Sequence, residues 1–218
     1  MIDKKMLLDL VKKARENTPK RNFKQSFELF ITFDSHRIKP SEVNINEVVT
    51  LPYKSKTSAT VMVIASGDLG LRAKKAGSDS VLAIEELDRL STNKKDSKKL
   101  SKEYEFFIAD TSAMPKVGKS LGPFLGPKGK MPVPITQTSP IEQIIERLKG
   151  SIRVRARAHN GVSCKIGQED MSDEEVVANA MAVLEAIERK LPNGLKVAKS
   201  IGIKLTMGPL QKVNLLGQ

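Results

Sequence analysis

Apolar residues follow two different rules in this chain, and the rule changes along its length. Near the N-terminus SFELFITF, Ser26 to Phe33, alternates: Phe27, Leu29, Ile31 and Phe33 point one way, Ser26, Glu28 and Thr32 the other. A period of two marks a strand with one buried face. Phe30 interrupts the polar side, so part of that face is expected to be covered. Ahead of it, Met6, Leu7, Leu10, Val11 and Ala14 fall at helical spacing between Asp3 and Glu16. Alternation returns after Gly150. SIRVRAR sets Ile152, Val154 and Ala156 inward and Arg153, Arg155 and Arg157 outward, Asn160-Gly161 signals a tight hairpin turn, and the return strand sets Val162, Cys164 and Ile166 against Ser163 and Lys165. Ser172 with Glu175 predicts a capping box. The helix behind it carries Val176, Val177, Ala180, Val183, Leu184, Ile187 and Leu191 and ends at Pro192-Asn193-Gly194. The last strand, IGIKLTM, sets Ile201, Ile203, Leu205 and Met207 against Gly202, Lys204 and Thr206.

The middle obeys the other rule. TVMVIAS, from Thr60, is continuously apolar. A short basic helix is expected over Gly70 to Gly77, then DSVLAIEEL, a strand over Glu105 to Asp110, and an amphipathic helix over Pro140 to Gly150. Continuous apolar strands alternating with helices predict a small parallel α/β sheet covered on both faces. Ser91 to Glu105 is rich in lysine and reads as a solvated segment. Neither end holds enough apolar residues for a core of its own. The expected organisation is therefore a split α+β domain, an antiparallel sheet with helices built from residues 1–57 and 156–218, with an α/β domain inserted over 58–155. Two chain crossings join them, a geometry that permits hinge motion.

Lys and Arg number 37 against 25 acids, a net charge of +12. Such a balance favours polyanions, nucleic acid before an anionic membrane. No run of about 18 apolar residues suggests a membrane span, and the first twenty residues lack the apolar stretch of a secretory signal. With no Trp and 4% aromatics, a membrane-surface helix is disfavoured. The single cysteine, Cys164, allows no internal disulfide and fits a reducing compartment. One Cys with His36 and His159 at unrelated positions builds no zinc site. Cys164 on an apolar strand face is core rather than nucleophile.

AMPKVGKS, Ala113 to Ser120, fits a relaxed phosphate loop after the apolar run Phe106 to Asp110, with Lys119 and Ser120 as the phosphate-binding pair. A nucleotide-binding enzyme is the alternative this motif raises. In a working loop the helix begins at the Gly-Lys-Ser and holds phosphate on its N-terminus. Here Gly122-Pro123 and Gly126-Pro127 follow almost at once, and proline disfavours helix at and before its own position. A glycine-proline surface loop is the stronger reading. The arginine strand points elsewhere. Arg153, Arg155 and Arg157 share one face without an intervening acid, joined by Lys165 from the partner strand, and arginine binds phosphate with two prongs. TMGP, Thr206 to Pro209, adds a glycine that permits close backbone approach and a hydroxyl donor.

FKQSFELFI (Phe23 to Ile31), LGPKGKMPVP (Leu125 to Pro134), GVSCKIGQEDMSDEEVVAN (Gly161 to Asn179) and KLTMGP (Lys204 to Pro209), in this order and spacing, make nearly the whole chain resemble the ribosomal protein L-one family, in its archaeal or eukaryotic form. The resemblance implies the split domain and makes the insert Rossmann-like and three-layered. It implies a large-subunit ribosomal protein without catalytic activity or cofactor, cytoplasmic and monomeric off the ribosome. Such a protein binds large-subunit ribosomal RNA at the mobile stalk near the tRNA exit site. Contact with exit-site tRNA, and repression by binding its own messenger, belong to the same expectation. Carried over by position, Phe23, Ser26 and Glu28 match the first RNA-contacting stretch. Gly161, Ser163, Lys165 and Gly167 match the second, and Thr206, Met207 and Gly208, beside Lys204, the third. The glycine-proline loop is expected to contact the other domain or RNA. LPYKSKTSATV, from Leu51, lacks the glycines the family places there, so domain orientation transfers less well than the RNA face.

Overall fold

Leu7, Leu10, Val11 and Ala14 form the buried stripe of the first helix, and that stripe needs a sheet to cover. A computed structural model describes residues 3–215 and supplies one. In chain order the elements are α1 (Lys4–Glu16), β1 (Ser26–Phe33), β2 (Asn44–Thr50), β3 (Val61–Ile64), α2 (Gly67–Lys75), β4 (Ser80–Leu82), α3 (Glu86–Thr92), α4 (Lys94–Glu103), β5 (Phe106–Asp110), α5 (Met114–Ser120), α6 (Gly122–Leu125), β6 (Val133–Ile135), α7 (Ile141–Lys149), β7 (Ser151–Arg157), β8 (Gly161–Gln168), α8 (Asp173–Glu188), β9 (Ala198–Leu205) and β10 (Gln211–Asn214). The chain divides into two compact units, 1–57 with 151–218, and 58–150.

In the first unit a four-stranded sheet runs in the order β10-β9-β1-β8, every pairing antiparallel. Its inner face carries Phe27, Leu29, Ile31, Ile201 and Ile203 against the apolar stripes of α1 and α8. The capping box at the start of α8 is present: Glu175 N–H donates to Ser172 Oγ at 3.3 Å, and Ser172 N–H donates to Glu175 Oε2 at 2.9 Å. Arg15 ties the end of α1 to the β8–α8 connection. Its guanidinium donates to Glu169 O (2.7 Å), Met171 O (2.9 Å) and Asp173 Oδ1 (2.9 Å) and lies 5.1 Å from the Phe27 ring centre.

Three sequence expectations change here. Strand β2, absent from the sequence reading, pairs along its length with β7 as a separate two-stranded sheet. Its burial alternates along its length, but Glu47 takes an inward position and Val48 an outward one, which blurs the apolar pattern in the sequence. The expected hairpin of β7 and β8 does not form, since β7 pairs with β2 and β8 with β1. The chain turns between them at Ala158, a non-glycine residue with φ of 54°. Because β7 pairs inside the first unit, the second crossing falls at 150/151 rather than 155/156.

The second unit holds a parallel sheet in the order β4-β3-β5-β6. Successive residues of its strands serve opposite faces. Val61, Val63, Phe106 and Ile108 pack with α2 and α7; Met62, Ile64, Phe107 and Ala109 pack with α3, α5 and α6. Two covered faces explain why these strands read as unbroken apolar runs. The lysine-rich segment is solvated, with all its lysines exposed, and it is helical: residues 94–103 form α4, with Asn93 capping it by accepting from Lys95 and Asp96 N–H. Among the described residues no helix is long and apolar enough to cross a membrane.

One buried polar side chain fixes the segment that leaves the first unit. Asn179 of α8, wholly buried, donates to Tyr53 O (2.9 Å) and Ile166 O (2.8 Å) and accepts from Tyr53 N–H (2.9 Å). Truncation leaves those backbone groups unpaired. Asn179→Ala is expected to lower the stability of this unit by about 2–3 kcal/mol, measured by urea denaturation.

Candidate nucleic-acid interface

The outer face of the four-stranded sheet is polar, and strand register sets its rows. Glu28 lies opposite Lys165 on β8 and Lys204 on β9, so a carboxylate stands between two ammonium-bearing positions. The next row is Ser163, Phe30 and Gly202, and the last is Gly161, Thr32 and Ser200. Lys165 Nζ donates to Thr57 Oγ1 at 3.1 Å, drawing the segment after β2 to this face. The half-buried Phe30 sits beside Gly202, where an added Cβ would meet Leu210 at 2.9 Å. The chain after β9 therefore folds over part of this face.

At the other end of β1 the backbones form a built corner. Ser26 N–H donates to Thr206 Oγ1 at 3.1 Å, and Thr206 N–H donates to Ser26 O at 3.1 Å. Gln25, wholly buried, accepts from Met207 N–H (3.0 Å) through its side-chain oxygen and donates to Pro19 O (3.2 Å) through its amide nitrogen. Gly208 is packed so closely that an added Cβ would stand 2.0 Å from Thr18 Oγ1. Held this way, the Met207 side chain is 51% exposed, as is that of Phe23 two residues before Gln25. Alternation placed Met207 on the apolar face; β9 ends at Leu205, and the turn that follows releases Met207 to solvent. Thr206 differs from expectation too, because its hydroxyl is engaged by Ser26 rather than left for a ligand.

The structure thus brings together Phe23, Ser26, Glu28, Ser163, Lys165, Lys204, Thr206, Met207 and Gly208. Gly161 lies at the far end of the face, where a Cβ would meet Ile31 O at 2.7 Å. Gly167 is buried opposite Phe27, against Val176, and faces the core. Arg153, Arg155 and Arg157 are not with the others. They line the β2–β7 ribbon opposite Val48, Asn46 and Asn44, and Lys165 does not join them. Arg155 and Arg157 are exposed and Arg153 half-buried. That ribbon face carries no carboxylate, since Glu47 points the other way, to Lys190 at 2.9 Å.

Sequence reasoning missed the approach to the corner. Asp170 accepts from Lys56 at 2.9 Å and Lys24 at 3.2 Å. Those two hydrogen bonds hold its carboxyl below the usual carboxylate range. Lys20 and Arg21, exposed a few residues before Lys24, add positive charge to this approach, visible in sequence as the run KRNFK. Gln25 had no such signal, because one glutamine beside a strand looks like any other.

The phosphate-loop pattern fails on geometry. Gly118-Lys119-Ser120 ends α5 instead of opening a helix. Ser120 is buried and its hydroxyl donates to Lys116 O at 2.9 Å. An anion there would face the negative end of the helix. Nor is the stretch a plain loop, because residues 114–125 form α5 and α6. The lysines of GPKGK bind inside the insert: Lys128 Nζ donates to Ser101 O at 3.0 Å and Lys130 Nζ to Tyr104 O at 2.7 Å, closing the C-terminus of α4.

A sequence profile of the Ribosomal protein L1p/L10e family matches residues 11–209. The chain belongs to this family. It is 48% identical over 212 residues to the large ribosomal subunit protein uL1 of Cenarchaeum symbiosum, covering 97% of both chains. To the protein of the same name from Methanothermobacter thermautotrophicus it is 40% identical, over 95% of this chain and 98% of the relative. To that of Archaeoglobus fulgidus it is 38% identical, over 98% and 99%.

Two outcomes follow from these contacts. Gly208→Ala is expected to cost about 1–3 kcal/mol by overpacking, read as a lower unfolding midpoint and partly restored by Thr18→Ala in the double variant. Cys164 is partly buried and packed against the core, and burial pushes its thiol up from 9.0 to about 12. At pH 8 such a thiol carries roughly a thousandth of the thiolate of one ionising at its ordinary value. Native protein should therefore resist alkylation that goes quickly in urea. The raised value also means that this group's contribution to stability is full below about pH 9 and is lost as pH rises toward about 12.

Proposed function

We propose that this protein is a constituent of the large ribosomal subunit. It binds a folded stem of large-subunit ribosomal RNA at the mobile stalk beside the tRNA exit site. The observation that carries the reading is the corner made by Ser26, Gln25 and Thr206, which holds Met207 exposed next to the row Lys165, Glu28 and Lys204. A-form RNA offers a wide, shallow groove lined with 2′-hydroxyls and base edges, which suits backbone approach and an apolar side chain. Glu28 accepts a hydrogen bond from a ribose hydroxyl or base amino group, and the flanking lysines balance its charge against phosphate. Phe23, Ser163 and Gly161 extend this contact along β1 and β8, while Gly167 and Gly208 keep the strands and the corner close-packed.

Arg153, Arg155 and Arg157 contact phosphate from their own ribbon, apart from the corner. The inserted unit, with its parallel sheet, is Rossmann-like. It serves the transient contact with exit-site tRNA that supports release of deacylated tRNA. Because the corner reads shape more than sequence, a messenger segment folded like the stalk is bound in the same way, which gives translational repression of the protein's own messenger. The protein acts in the cytoplasm, as a monomer off the ribosome, without cofactor or catalysis.

A salt titration of binding to the stalk RNA, with excess tRNA as competitor, tests the reading. Wild type is expected to bind through the competitor, with affinity falling as salt rises. Met207→Ala should weaken binding by about 1–2 kcal/mol, the order for losing part of an apolar contact, with an unchanged salt slope. Binding abolished by competitor tRNA, with no effect of the variant, would leave only a basic protein.

A further inference from the structure

Between α1 and β1 the chain runs Asn17-Thr18-Pro19-Lys20-Arg21-Asn22-Phe23-Lys24-Gln25, without regular secondary structure but anchored at both ends. At the first anchor Thr18 donates its hydroxyl to Ala14 O and fills the space beside Gly208. At the second, the buried Gln25 side chain bridges Pro19 O and Met207 N–H. Gln25's own backbone is paired with Glu169, whose N–H donates to Gln25 O at 2.9 Å and whose carboxylate accepts from Gln25 N–H at 3.2 Å. Pro19 restricts the path further. An irregular segment tied this way lies fixed beside Met207 and Gly208, so little ordering remains when a ligand arrives.

Lys20, Arg21 and Lys24 are all exposed between the anchors. Lys24 is answered by Asp170, which it shares with Lys56. Among the described residues neither Lys20 nor Arg21 forms an ion pair. Their charges stand un-neutralised on a fixed path next to the exposed Met207. Arginine offers two prongs to a phosphate and lysine a compact point charge.

We propose that residues 18–24 are a phosphate-binding arm of the RNA site, in which Lys20 and Arg21 hold the RNA backbone beside the groove that Met207 enters. This rests on the RNA-binding reading above. The arm contributes affinity through counterion release and carries no sequence information, whereas Met207 and Glu28 touch sugar and base edges.

The test compares wild type, Lys20→Ala/Arg21→Ala, and a control pair on the insert, Lys98→Ala/Lys99→Ala, binding the stalk RNA over a salt series. Removing two phosphate contacts is expected to make the slope of log affinity against log salt shallower by about 1.5, from roughly 0.7–0.9 per contact. The control pair should keep the wild-type slope, and Lys20→Arg/Arg21→Lys should restore it. All four residues are exposed, so thermal unfolding should not change. A wild-type slope in the arm variant, or an equal loss in the control pair, would overturn the arm. Failure of wild type itself to bind stalk RNA over competitor tRNA would overturn the RNA-binding reading, and the arm with it.

Discussion

Strand β1 has a hydrogen-bonded partner on each side, and both partners come from the far end of the chain: β8 on one edge, β9 on the other. The rest of the first unit depends on this double pairing. The stripe of α1 stays exposed until Ile201 and Ile203 arrive to extend the inner face, and α8 covers that face only once β8 is in place. Contacts so distant in sequence are slow to form because loop closure comes before any contact is gained. Residues 58–150 have a shorter task, since their sheet is built wholly within themselves. An insertion is tolerated because it enters and leaves where the first unit's elements end, after Thr57 and before β7.

The candidate RNA corner inherits the same dependence. Ser26 meets Thr206 and Gln25 meets Met207 only because β1 and β9 are neighbours. No local segment could build the corner: one side comes from the beginning of the chain and the other from its end. This couples binding to folding in a simple way, since an incompletely closed sheet presents neither an ordered Met207 nor the anchored segment before β1. The buried amide of Gln25 has all its polar atoms near the corner committed, which suits a group that positions others rather than touching a ligand.

Glycine, lysine and serine at phosphate-loop spacing show how little a short motif says without its helix. The chemistry of such a loop lies in free N–H groups at a helix N-terminus, and here the same three residues end α5, with the Ser120 hydroxyl turned back onto Lys116 O. The glycine-proline pairs that argued against a long helix did not prevent two short ones, because proline is tolerated in a first turn. Pro115 and Pro123 stand at such positions in α5 and α6.

Periodicity in the sequence determined which residues are core. Alternation in β1, β8 and β9, the helical stripes of α1 and α8, and the unbroken apolar runs of β3 and β5 each reflect one face or two faces removed from water, a constraint that acts residue by residue and is therefore written locally. Pairing is not written that way. An arginine strand reads the same whether its neighbour is β8 or β2, so only the tertiary structure decided that Arg153, Arg155 and Arg157 stand on a ribbon apart from Lys165. It decided likewise that Met207, in phase with the buried residues of β9, faces water, since a strand's alternation holds only while its ladder continues and this ladder stops at Leu205. Gln25 and Lys20 acquire their places from Met207 and Gly208, about 180 residues away in the chain, and a relation across that distance has no local pattern to betray it.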